Sequence, residues 1–457
     1  MEMALENQEN GGCLMRVRCL IKELFASIVS KAVDRARNVK KLGQEDPRRV
    51  IHSVKVGLAI ALVSLLYYFD PVYEGFGVSA MWAVMTVVVV FEFSVGATLG
   101  KGINRGIATF LGGASGVGVH RLASLSGIEI LEPIILGISI FIFAAAVTFM
   151  RFFPKLKARN DYGLLIFNLT FCLICVSGYR EHEVLDMALT RLSTILIGGA
   201  ATVAFNIIIF PVWAGEDLHN IIANNIEKLG TFLEGFGDAY FKKSGDRNLQ
   251  DIKVQLEEYK SVMNAKSIED SLVSFARWEP RHGRFKYCHP WAQYQKIAGL
   301  TREFACRLDS LNGFLNEEMQ TPEAIQAKFE ESFKNMSKES SKALNRLAVS
   351  IKTMIRPSTV DDSHSLNAKR AADNLKSLLK TTTWEGDVLE IISVATVATL
   401  LIEVVSCTVR IAESVQELAS LAKFKTSDEA SKSTQINNET VKRTPSIESH
   451  NATIEVE

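Results

Sequence analysis

Apolar residues fill the first half of this chain in six blocks: Val56–Phe69, Val78–Phe91, Ile107–Val119, Ile134–Met150, Tyr162–Tyr179 and Leu192–Ala214. None of them contains Asp, Glu, Lys or Arg. With the weakly polar residues at their edges, most reach the ~20 residues that a helix needs to cross a hydrocarbon layer of about 30 Å. Backbone polar groups find no partner in lipid, so the blocks predict transmembrane helices. After Gly215 the pattern changes to amphipathic helices. Their expected spans are Glu216–Lys242, Asn248–Asn264, Trp291–Asn316, Pro322–Ile355 and Ser365–Thr381.

One later run, Ile391–Ile402, is uncharged but short, and Glu390 and Glu403 frame it. Its apolar series Ile391, Val394, Ala398, Leu401, Val405 continues as Ile411, Val415, Leu418, Leu421. That spacing predicts a long helix buried in a bundle, not a seventh span. Nothing alternates with period two, so the fold class is all-α. We expect a six-helix transmembrane domain over 51–214, after a cytosolic N-terminal segment over 1–50. A cytosolic helical bundle occupies 215–424. Residues 425–457, rich in Ser, Thr, Asn, Glu and Lys, form a disordered tail.

Loop charges orient the chain. Lys31, Arg35, Arg37, Lys40, Lys41, Arg48 and Arg49 precede the first block, Lys101 and Arg105 follow the second, and Arg151, Lys155, Lys157 and Arg159 follow the fourth. The alternate loops are poorer in Lys and Arg, which predicts both termini in the cytosol. Composition changes the picture little. Over 457 residues, Lys and Arg total 51 and so do Asp and Glu, so no global field argues for nucleic acid. Seven scattered cysteines suggest free thiols. No secretory signal pattern opens the chain, so the first span serves as insertion signal.

Few motifs carry chemistry. Gly96–Gly102 superficially resembles a phosphate loop but has the wrong spacing, and reads as a turn between two spans. Gly112 and Gly116 read as a close-packing face, with a pore-side face as the alternative. Cys172 and Cys175 read as apolar filler. Lys55, Lys101, Arg105, Arg151 and Arg191 sit at or inside span edges. They either snorkel and set topology or line an anion path. Asp70, Glu74, Glu129, Glu132, Glu181, Glu183 and Asp186 lie in the outer loops; carboxylates suit hard multivalent cations, although a solvated surface is the simpler reading. Trp278-Glu279-Pro280, with His282, His289 and Trp291 beyond, reads as an ordered connector. Thr444 and Ser446 come after Lys442 and Arg443 in the tail and read as phosphorylation sites. No nucleophile, base or metal motif suggests an enzyme or a cofactor.

The second block with its continuation, Met81-Trp82-Ala83-Val84-Met85 through Phe91-Glu92-Phe93-Ser94-Val95-Gly96-Ala97-Thr98-Leu99-Gly100-Lys101-Gly102, resembles the aluminium-activated malate transporter family of plant anion channels. Supporting stretches are Glu45–Arg49, Arg151-Phe152-Phe153-Pro154, Asp161-Tyr162-Gly163, Phe210–Asp217 and the Trp278-Glu279-Pro280 connector. They keep their order from Glu45 to about Trp291. The resemblance implies a homodimer in a plant plasma or vacuolar membrane, with malate and smaller inorganic anions passing near the dimer axis. Some members open to external aluminium ions and others do not.

The family's basic path positions match Arg105 and Arg191, with Lys101 and Arg151 nearby. Its outer acidic positions fall near Glu74, Glu181, Glu183 and Asp186, a set that His182 interrupts. Phe210 lies in the segment linked to the amino acid GABA. The expectation is a passive anion channel, with Arg191 near the outer mouth and Arg105 and Lys101 near the inner one. Its rivals are a proton-coupled organic-acid carrier, for which Lys55, His120 and Glu92 are the titratable candidates, and a membrane scaffold or receptor.

Overall fold

The computed structural model describes residues 27, 29–31, 33–68, 81–125, 127–128, 130–179, 184–241, 258–285, 289–316, 323–356, 359–381 and 388–426. Glu74, Glu181, Glu183, Thr444 and Ser446 lie outside the described residues. The chain divides into two compact units, 1–212 and 213–457. Among the described residues all regular structure is helical; the only extended pairings are isolated bridges, His282 with Phe285 and Ile355 with Lys425.

The first unit holds α1 (Pro47–Tyr68), α2 (Met81–Val90), α3 (Val95–Ser124), α4 (Leu131–Met150), α5 (Pro154–Gly178) and α6 (Val184–Ile208). Its cores are small: Ala59, Val63, Ala83, Val87 and Phe91 form one, and Val119, Ala123, Leu136, Phe171 and Cys175 the other. Large apolar side chains point outward instead, among them Ile134, Ile138, Phe141, Ile142 and Phe149 of α4. Such a surface is stable in lipid and not in water.

By length and composition Leu131–Met150, Asn160–Gly178 and Val184–Ile208 can cross a membrane, and Met81–Val90 is a shorter apolar helix. Close approach fixes the packing. A Cβ on Gly112 would lie 2.7 Å from the Phe167 carbonyl, and one on Gly116 would lie 2.9 Å from Ile174. Both glycines therefore face α5 as packing positions. A Cβ on Gly198 would lie 2.6 Å from the Ala83 carbonyl, which brings α6 against α2.

Two boundaries differ from the sequence expectation. Gly96–Gly102 is no turn. Ser94 is the N-cap, accepting a hydrogen bond from Ala97 N at 3.3 Å, and α3 runs on from Val95. Likewise α6 begins at Val184, so Arg191 lies two turns inside a helix and not in an outer loop. The charge-free blocks understated both helices because each carries a buried cation.

The second unit holds α7 (Ala214–Phe241), α8 (Lys266–Ala276), α9 (Trp291–Asn316), α10 (Glu323–Thr353), α11 (Thr359–Thr381) and α12 (Val388–Leu421). One continuous apolar core joins them, from Leu218 and Phe236 through Phe304, Phe333 and Leu375 to Leu418. Ile392–Leu421 is also long and apolar enough to cross a membrane. However, Val394, Ala398, Leu401, Val405, Ile411, Val415 and Leu418 are buried in this core, as the spacing predicts, while Leu421 is exposed. Phe424 is buried, and Lys425 N donates to Met354 O at 3.1 Å, which ties down the end of α12.

Candidate functional site

Arg105 and Arg191 are 5 % and 8 % exposed, and they lie on α3 and α6. Two contacts align these helices: Asn206 Nδ2 donates to Thr98 Oγ1 at 2.7 Å, and Leu196 packs over Gly106 at 3.5 Å from an ideal Cβ. Later positions on α3 thus face earlier positions on α6, so the helices run antiparallel. Arg105 sits level with about residue 197, and six residues of α6 separate that level from Arg191. At 1.5 Å per residue the two backbone positions are about 9 Å apart along the helix axis. The reading of the sequence set them at opposite ends of the path; the contacts put them on one stretch of the same helix pair.

Neither guanidinium has a carboxylate partner among the described residues. Arg105 Nη1 donates to Tyr162 Oη at 3.1 Å, while its buried Nε has no acceptor. Arg191 lies over the Trp82 ring, 4.0 Å from the centroid, a cation–π contact that leaves its charge uncancelled. A guanidinium at bilayer depth costs ~2.5–3.5 kcal/mol or more, so two unpaired ones need an anionic or aqueous counterpart.

The remaining candidate cations are engaged. Lys101 pairs with Glu92, its Nζ lying 5.7 Å from the Tyr162 ring centroid. Arg151 grips Asp161 through both carboxylate oxygens, at 2.7 and 3.2 Å. Lys55, 2 % exposed, donates to Asn206 Oδ1 at 3.2 Å and to Phe210 O at 2.9 Å. Asn206 in turn donates to Glu92 O at 3.1 Å, so a buried polar network joins α1, α6 and the α2–α3 connection. Phe210 has φ +44° in the left-handed region, and the residue is 71 % exposed. The strain of a bulky residue there is held in part by the Lys55 hydrogen bond.

Trp82 and Tyr162 stood in the family-like stretches without a role of their own, and Asn206 was not singled out. A lone amide in an apolar block and two aromatics close to charged loops were the available signals. Asp186 is exposed in the first turn of α6. Among the described residues no group of three or more His, Cys, Asp or Glu is placed to hold a metal ion.

In the second unit, the Trp278-Glu279-Pro280 connector has a defined task. Ala214 N and Gly215 N donate to the two Glu279 carboxylate oxygens at 2.6 and 3.0 Å, capping α7. Trp213 stacks on His282 at 3.9 Å between centroids. Trp278 is half-buried and Pro280 exposed. His219, buried beside Tyr294 with Nδ1 2.8 Å from its hydroxyl, has its pKa depressed to about 4, chiefly by burial and then by Arg284. Burial raises the Tyr294 phenol above its ordinary value.

Known proteins resemble this chain over most of its length. Residues 40–385 match the family described as Aluminium activated malate transporter. The chain is 51% identical over 409 residues to Aluminum-activated malate transporter 2 of Arabidopsis thaliana, covering 89% of this chain and 81% of that protein. It is 43% identical over 422 residues to Aluminum-activated malate transporter 1 of Triticum aestivum, covering 91% of each. Against Aluminum-activated malate transporter 10 of Arabidopsis thaliana it is 37% identical over 453 residues, 90% of each. The chain is a multi-helix membrane protein that belongs to the aluminium-activated malate transporter family.

Proposed function

We propose that this protein is a passive channel for malate and smaller anions, with Arg105 and Arg191 on the conduction route. The carrying observation is their burial, about 9 Å apart along the helix axis, without a carboxylate partner among the described residues. A pore for anions must replace lost hydration with fixed positive charge, yet hold each ion loosely enough to release it. Two cations in one stretch meet that need. Malate carboxyls titrate near Asp and Glu, so malate is a dianion at neutral pH. Each charge gains ~2.3 kcal/mol per 100 mV of favourable potential, so efflux needs no nucleotide.

Lys101 and Arg151, each offset by a carboxylate, shape the field near the route, and Lys55 holds α1 to α6. A homodimer fits the apolar groove of about 770 Å³ between α3 and α6, where Gly102, Gly106 and Gly199 leave room for close approach. The basic inner loops support cytosolic termini, and we place the protein in the plasma membrane with external aluminium ions as a candidate activator. The carrier reading is weaker. Lys55 and Glu92 are engaged as described, and His120 Nε2 lies 3.0 Å from Gly178 O and 3.7 Å from Glu132.

Voltage clamp of cells expressing the chain tests the reading, with malate, nitrate and chloride exchanged, with and without external aluminium. A channel gives reversal potentials that follow the anion gradient and ignore pH. A reversal potential that follows the proton gradient would establish the carrier instead.

A further inference from the structure

Tyr162 stands at the start of the membrane part of α5, half-buried, with its hydroxyl accepting from Arg105 Nη1 at 3.1 Å. A phenol carries one proton to donate. Among the described residues that proton has no acceptor. The next donor along the guanidinium, Arg105 Nε, is buried and also lacks one. The phenol proton is thus an unused donor held against a guanidinium, with α5 supplying the hydroxyl and α3 the cation. The Tyr162 ring also faces Lys101 Nζ at 5.7 Å, so the ring is fixed from two directions. Lys101 itself is committed to Glu92 and adds no free donor.

We propose that Tyr162 is a selectivity-determining residue: its hydroxyl, oriented by Arg105, donates to an oxygen of a passing carboxylate beside that guanidinium. This rests on the reading that Arg105 lines the route. A carboxylate oxygen is a strong acceptor, and a hydrogen bond to an ionised group is shorter and stronger than a neutral one. Chloride also accepts a hydrogen bond, but its charge is spread over a larger ion, so the bond is weaker than one to a carboxylate oxygen. The pair therefore favours organic anions over halide.

The test is Tyr162→Phe in the full chain, expressed in voltage-clamped cells, with surface protein quantified and malate and chloride conductances compared. The malate-to-chloride ratio should fall about tenfold, the scale of one hydrogen bond to a charged group, while chloride conductance persists. Tyr162→His, which keeps a ring N–H donor, should retain more of the ratio than Tyr162→Phe, and Tyr162→Leu takes the place of the Phe variant if that one stays off the surface. An unchanged ratio at normal surface level, or equal loss of both conductances, overturns the proposal. Arg105→Ala, run alongside, separates the two readings. If it leaves both conductances intact, the route itself is misplaced. If it removes malate conductance while Tyr162→Phe keeps the parent ratio, only the role of Tyr162 fails.

Discussion

Replacing Glu279 by alanine should loosen the second unit without touching the anion route. The carboxylate holds Ala214 N–H and Gly215 N–H at 2.6 and 3.0 Å, at the buried start of α7. Each donor left unpaired in the interior costs ~1–3 kcal/mol. Lost favourable interaction with the helix N-terminus adds ~0.3–1 kcal/mol. Relief from holding a charge out of water offsets part of this, giving a net loss of about 2–4 kcal/mol. In a unit of this size that lowers the unfolding midpoint by roughly 4–16 °C.

Cys407, buried on α12 in the same core, provides the readout. Heating the detergent-purified full chain with a thiol reagent, then locating the label by mass spectrometry, gives the temperature at which Cys407 opens. Glu279→Gln keeps one carbonyl acceptor but turns an amide N–H toward a donor, so its midpoint should fall between the parent and Glu279→Ala. A Glu279→Ala midpoint within about 1 °C of the parent would refute the capping argument.

Other consequences are as direct. Gly198→Val should abolish surface protein, because its Cβ would meet the Ala83 carbonyl at 2.6 Å, whereas Gly137→Ala, with nothing within 4 Å, should not; surface labelling decides. Lys55→Met strips donors from the Asn206 side chain and the Phe210 carbonyl, and should cost about 2–4 kcal/mol of stability. It should lower folded yield yet leave the malate-to-chloride ratio unchanged. His219 stays neutral in the fold with a pKa near 4, against ~6.5 when unfolded. The unfolded chain therefore binds the proton first, and stability falls as pH drops from about 6.5 toward 4. At about pH 5.5 the loss is ~1.4 kcal/mol. Thermal unfolding across that range should show it, and His219→Asn should flatten the dependence.

The all-helical class, the apolar blocks and the buried stripe of α12 were legible because periodicity and charge-free length are local signals. What the sequence hid was pairing. Glu92 and Lys101 or Arg151 and Asp161 look like ordinary loop charges until the helices bring them together. Lys55 finds Asn206 across 151 positions. Only after these pairings are removed do Arg105 and Arg191 stand apart. Helix α8 went unread because a core position of its short stripe is Glu269, buried against Arg302 and Asn225 and disguised as surface. The starts of α3 and α6 were displaced for a related reason: a charge inside a membrane helix resembles a loop residue.

The most direct test of the central claim is malate current through Arg105→Ala and Arg191→Ala, each normalised to surface protein. Both lack carboxylate partners, so removing either charge should spare folding but take a fixed cation from the route. Surface levels should be normal, with malate current cut by about tenfold or more in each variant. Lysine at either position should restore part of it if charge dominates, and little if the guanidinium fork is needed. Unchanged current and selectivity in both alanine variants at full surface level would contradict a route past these two arginines and place it elsewhere.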